Sequence, residues 1–206
     1  MGAVLRNPKV WIVLLCLLPL VRLIVLGVGG GLGANPIEFI THSTGTWTLV
    51  GLLVILSVTP LRQLTGRADL VRYRRMLGLF TFFYACLHFV TYLWLDQFFD
   101  PAAIARDIVK RPFITVGFTA FVLLIPLAAT STHAMMRRLG RRWQLLHRLI
   151  YLIAVLGIIH YLWLVKKDLT DPLVYGGVLV LLLGLRLPLG VALLRAIRGR
   201  WVPAGS

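Results

Sequence analysis

Six apolar runs, each close to the length that crosses a bilayer, constrain this chain more than any motif in it. They lie at roughly residues 10–28, 46–61, 77–95, 113–129, 143–165 and 173–185. About 20 apolar residues in a helix span the hydrocarbon core. The expected architecture is therefore an all-α integral membrane protein of six transmembrane helices, forming one domain over residues 1–206. The second and fourth runs are short and are expected to extend into their flanks. The sixth is expected to bend at Pro188, where the ring removes a backbone donor. Composition agrees: 14% of residues are charged, against roughly a quarter in a soluble domain.

The net charge of +15 does not point to nucleic acid, because the basic residues sit in short loops between the apolar runs. There they act as topology signals. Arg6, Lys9, Arg62, Arg67, Arg72, Arg74, Arg75, Arg137, Arg138, Arg141, Arg142, Arg195, Arg198 and Arg200 fall on one side. Only Arg106, Lys110, Arg111, Lys166 and Lys167 fall on the other. The positive-inside rule then places both termini in the cytoplasm. The N-terminal run is long and lacks a clear cleavage site, so it reads as an uncleaved first span rather than a signal peptide. Trp94, Trp143 and Trp163 stand near span ends, as interfacial indoles do. The loop from Asp96 to Pro112 is expected to form a short amphipathic helix on the outer surface. Gly29, Gly31 and Ala34 match a dinucleotide-binding spacing, but they follow a span rather than a strand and read as an outer turn. Cys16 and Cys86 lie in apolar runs and suggest no disulfide framework.

Three of the five histidines, His88, His147 and His160, lie inside predicted spans. Ionisable groups in a membrane are costly and by default functional. Counting about 1.5 Å per residue from the cytoplasmic ends of spans three and five puts His88 and His160 at similar depth in the outer half. His147 falls near the cytoplasmic face, roughly 20 Å from His160. Metal ligation, a proton relay and haem ligation are the candidates. Zinc wants about four clustered nitrogen or sulfur ligands, and a relay usually uses intramembrane carboxylates, which the spans lack. Haem fits best, with one imidazole from each of two helices as axial ligands. The thirteen-residue spacing from His147 to His160 does not return to one helix face, so a bend near Gly157, or groups on adjacent sides of the helix, is required. If a second, inner haem hangs from His147, its partner at the matching position of span three is Arg75, beside Arg74, and not a histidine. His133 is a weak candidate there and otherwise an interfacial residue. His42, at the outer start of span two, sits near the outer haem or the docking surface, or is an ordinary loop histidine.

The stretches GLGANPIEFITHSTG, RRMLGLFTFFYACLH, TSTHAMMRRLGRRWQLLHRLIYL and HYLWLVK resemble the MsrQ (YedZ) family of the ferric reductase-like transmembrane superfamily, to which the NADPH oxidases also belong. The resemblance implies a multi-pass protein of the bacterial inner membrane, with b-type haem on spans three and five. Carried onto this chain, the iron ligands are His88, His147 and His160. Where the oxidases have a second histidine on span three, this chain has Arg74 and Arg75, whose charge suits haem propionates or a flavin phosphate. FMN is also associated with the family, although no residues here pin its site. The implied role is a non-catalytic electron-transfer subunit. It takes electrons from quinol or a cytosolic flavin reductase and passes them to MsrP, a periplasmic molybdenum-containing methionine sulfoxide reductase. A histidine-based ion or proton transporter is the competing reading.

Overall fold

A computed structural model describes residues 7–165 and 167–201. Arg6 and Lys166, two of the residues that set the topology, lie outside the described residues, as does the side chain of Arg200. The described residues are helical throughout, with no strand. Five helices are long and apolar enough to cross a membrane, and a sixth span is formed if one bent helix pair is counted as a unit.

Helix α1 (Pro8–Val28) starts on Asn7, whose side chain accepts from the Lys9 N–H. A turn through the glycine run leads to α2 (Pro36–Thr65), the longest element at 30 residues. Asn35 caps α2 through the Glu38 N–H, and Gly66 closes it in the left-handed conformation. This span reaches well beyond residues 46–61 on both sides. A 3₁₀ segment (Ala68–Tyr73) turns into α3 (Arg74–Thr91), which ends in one π-helical turn (Tyr92–Asp96). The expected loop helix is present as α4 (Pro101–Lys110), capped by Asp100. Helix α5 (Pro112–Ala129) gains only Pro112 over its sequence run, so the expected extension into the flanks does not occur there.

Span five is divided. After α6 (His133–Leu139), helix α7 (Arg141–His147) stops at Arg148, and α8 (Leu149–Leu164) resumes immediately. The interruption falls beside His147 rather than near Gly157. Gly157 packs instead against Leu49 and Leu52 of α2. The expected bend at Pro188 is large. Helix α9 (Thr170–Gly184) and α10 (Pro188–Trp201) meet at 83°. At 15 residues, α9 is about 22 Å long, short of the roughly 30 Å hydrocarbon core.

Two helical hairpins form the body: α2 packs most extensively on α3, and α5 on α8. The core lies where they meet, around Leu49, Leu52, Leu56, Ala85, Leu124, Ile153 and Ala154. Small residues such as Ala85 and Ala154 let the backbones approach, as packing within lipid requires. Helix α1 is peripheral, and Leu14, Leu15, Leu18, Val21, Ile24 and Val25 face outward. One side chain stitches it in place. The Tyr84 hydroxyl donates to the Cys16 carbonyl at 2.7 Å and accepts from the Leu20 N–H at 3.2 Å. It thus inserts into what would be an i→i−4 bond of α1, a known cause of local bending. Tyr84→Phe should lower stability by about 1 kcal/mol, measured by unfolding titration, and should leave the packing of α2 on α3 intact.

Candidate functional site: a paired-histidine cavity

A cavity of about 680 Å³ opens between the two hairpins, lined by α2, α3, α5 and α8. His88 of α3 and His160 of α8 face each other in it, with ring centres 6.1 Å apart and planes inclined by 75°. The two residues matched by depth along their helices are thus brought into one space. Phe89, Phe118, Phe121, Leu49 and Leu52 make the walls apolar. Glu38, His42, Asp96 and Arg111 lie toward the end where the connecting turns gather. His42, at the start of α2, is therefore a lining residue and not a remote loop histidine.

Each ring is held by its partner helix in the same way. His88 Nδ1 donates to the Thr41 carbonyl at 3.0 Å, and His160 Nδ1 donates to the Phe113 carbonyl at 2.7 Å. In both cases the acceptor lies 47 residues earlier in the chain. With Nδ1 committed as a donor, the tautomer leaves Nε2 as a lone-pair nitrogen. One helical turn past each acceptor stands a glycine. A methyl group at Gly117 would sit 2.6 Å from His160 Nδ1. One at Gly45 would sit 3.0 Å from His88 Cε1. Thr44, almost fully buried, adds its hydroxyl 3.5 Å from His88 Nδ1 and bonds back to the Ile40 and Thr41 carbonyls. The α2–α3 and α5–α8 hairpins therefore present equivalent carbonyl–glycine–imidazole units.

These residues fit a six-coordinate haem. A metal–imidazole bond is about 2.0–2.1 Å long, so two imidazoles on opposite faces of one ion stand with ring centres roughly 6 Å apart. The cavity volume falls in the range of ligand pockets, about 300–1,000 Å³. Among the described residues no three histidine, cysteine or acidic side chains gather as a metal cluster.

His147 lies apart from this cavity. It stacks on Trp143, with ring centres 3.9 Å apart, and its Nδ1 donates to the Trp143 carbonyl at 3.1 Å. Its buried Nε2 has no protein partner. Trp143 is not a free interfacial indole, because its Nε1 donates to the Thr130 carbonyl at the end of α5. Arg74 is half-buried and lies within electrostatic reach of His147, whereas Arg75 is exposed. His133 is exposed at the start of α6. The positioning residues Thr41, Thr44, Gly45, Phe113 and Gly117 are not singled out by sequence reasoning. Their only sequence signal is the equal 47-residue offset, which has meaning once the helix pairs are known.

The ferric reductase like transmembrane component family matches residues 43–158. The heme-binding subunit MsrQ of protein-methionine-sulfoxide reductase from Ralstonia nicotianae is 60% identical over 185 residues, covering 88% of this chain and 85% of the relative. Its counterpart from Bordetella parapertussis is 58% identical, covering 82% and 84%. That from Rhodospirillum rubrum is 53% identical, covering 90% and 92%. No solved structure matches. On this identity, sustained over most of both chains and across the cavity helices, the chain belongs to the MsrQ family of ferric reductase-like membrane proteins.

Proposed function

We propose that this chain is a b-type cytochrome of the bacterial inner membrane, passing electrons outward to a soluble methionine sulfoxide reductase subunit. The observation that carries the reading is the facing of His88 and His160, each with Nδ1 tied to a carbonyl and Nε2 left for iron. Haem b between them supplies an iron that accepts and releases single electrons. The protein's part is to hold and orient. The two hairpins fix both imidazoles before any group binds, and the Thr41 and Phe113 carbonyls raise ligand basicity. The aromatic and leucine walls keep water away.

The arginine-rich end, carrying Arg62, Arg67, Arg72, Arg74 and Arg75, is assigned to the cytoplasm by the positive-inside rule. The cavity then lies toward the outer face. His147 is the entry point at the cytoplasmic end, with an unpartnered Nε2 and with Arg74 providing positive charge for an anionic group. The donor is the quinol pool or a cytosolic flavin reductase. The acceptor is the molybdenum-containing partner MsrP, which reduces methionine sulfoxide in periplasmic proteins. The relatives' name, as a subunit of that reductase, supports a catalytic partner. FMN, also implied by the resemblance, is not needed for this route.

The test is methionine sulfoxide turnover by the partner on vesicles holding this chain, supplied with quinol. Turnover should depend on the chain and should fall to background with His160→Ala while the protein stays inserted. Equal turnover with and without the chain would refute the conduit.

A further inference from the structure

The arginine-rich end holds positive charge that the protein does not neutralise. Arg186, in the break between α9 and α10, reaches across to α2. Its Nη2 donates to the Leu56 carbonyl at 2.6 Å and its Nη1 to the Tyr151 hydroxyl at 2.9 Å. The Leu56 carbonyl is available because Pro60, four residues on, has no N–H to offer it. Arg186 is thus fixed in place, also 5.2 Å over the Tyr151 ring, and neither partner carries a negative charge. Arg74 has Arg186 and Arg62 as its charged neighbours, with the Tyr151 phenol also within reach, and no carboxylate among the described residues. The one acid at this end among the described residues, Asp69, is taken by Arg67 at 3.1 Å and Arg72 at 3.6 Å. Guanidinium groups gathered at a helix-bundle end without counter-charge are costly unless an anion joins them.

The adjoining helix indicates where that anion comes from. Helix α10 leaves α9 at 83°, so it runs along the membrane surface when α9 crosses it. Its Leu194 is buried toward the bundle, while Leu189 is 86% exposed and Leu193 55% exposed. Arg195 is exposed on a further side, and Arg198 leans from the Leu194 side against Gly66 at the end of α2. A helix with a core side, an apolar outer side and a basic side belongs in the headgroup layer. Leu187, Leu189 and Leu193 offer acyl chains an exposed apolar surface.

We propose that Arg62 and Arg74, with Arg186 fixed behind them, form a site for the phosphate of an anionic phospholipid of the cytoplasmic leaflet. Arg62 is exposed and Arg74 half-buried, so both have donors to give. Guanidinium forks suit phosphate oxygens. The lipid would tie the α9–α10 break to the ends of α2 and α3.

The test uses the delipidated, haem-loaded full chain in neutral detergent, titrated with dioctanoyl phosphatidylglycerol and monitored by thermal shift. Wild type should bind this lipid at least about tenfold more tightly than dioctanoyl phosphatidylcholine. The Arg62→Gln/Arg74→Gln pair should weaken it about thirtyfold. The Arg137→Gln/Arg138→Gln pair removes the same charge from exposed positions on another connection and should change affinity less than about threefold. Circular dichroism, recorded on each variant, reports that it is folded. Unchanged lipid affinity in the first pair overturns the proposal. An equal loss in the second pair does so as well, because the surface would then be diffusely basic. Glycerol 3-phosphate binding as tightly as the lipid would assign the site to a soluble anion and overturn the lipid.

Discussion

His88→Ala and His160→Ala should each empty the same cavity of haem. Purified wild-type protein should carry the group at near one per chain in this position, and either variant should fall to less than about a tenth of that. The reason is the shared geometry. The rings stand 6.1 Å apart across one space, so each would supply one bond to an iron held between them. Loss of either would leave the group with a single imidazole. His147→Ala should leave this haem untouched, because its ring stacks on Trp143 outside the cavity. Haem per chain, measured as the pyridine haemochrome, checks all three variants. A His88→Ala protein that loses haem while His160→Ala retains it would break the pairing.

Gly117→Ala should be nearly as damaging, although it removes no ligand. The added methyl group would stand 2.6 Å from His160 Nδ1 and 2.8 Å from its Cε1. The ring cannot yield without losing its bond to the Phe113 carbonyl. Haem occupancy should fall at least about tenfold, equivalent to about 1.4 kcal/mol, and residual haem should be spectrally altered. Gly45→Ala should act in the same direction with a smaller effect, since its nearest contact with the His88 ring is 3.0 Å. Circular dichroism should show both variants fully helical. Equal haem content in Gly117→Ala and wild type would mean that the close approach does not position the ring.

Much of this arrangement is legible in the sequence. Bilayer thickness forces long apolar helices, and about 1.5 Å per residue is enough to match His88 with His160 in depth. The part that is not legible is lateral: which carbonyl each imidazole meets, and which residue makes room for it. Thr41, Gly45, Phe113 and Gly117 acquire their roles only when α2 lies on α3 and α5 on α8. The same limit explains Arg74. Its sequence neighbour Arg75 turns outward, while Arg62 and Arg186 come to it from other helices. The helix is interrupted at Arg148 and not at Gly157, and His147 stays outside the cavity that His160 enters. Ideal-helix counting cannot locate such a break. Aromatic residues near span ends usually settle at the lipid interface, and Trp143 also makes a specific contact there. The Thr130 carbonyl at the end of α5 needs a donor, and the indole supplies it. The sixth run signals a span and a bend but not the direction of α10, since a turn of 83° depends on the docking of Leu194 and its neighbours.

The most direct measurement is the low-temperature electron paramagnetic resonance spectrum of the oxidised, purified full-length protein, recorded beside the visible spectrum. Two imidazoles on one iron should give a low-spin ferric signal and a Soret band that shifts on dithionite reduction, and His88→Ala and His160→Ala should each remove that same signal. A folded, colourless protein from haem-replete cells, or a low-spin signal that survives unchanged in either variant, would contradict a haem held between these two helices.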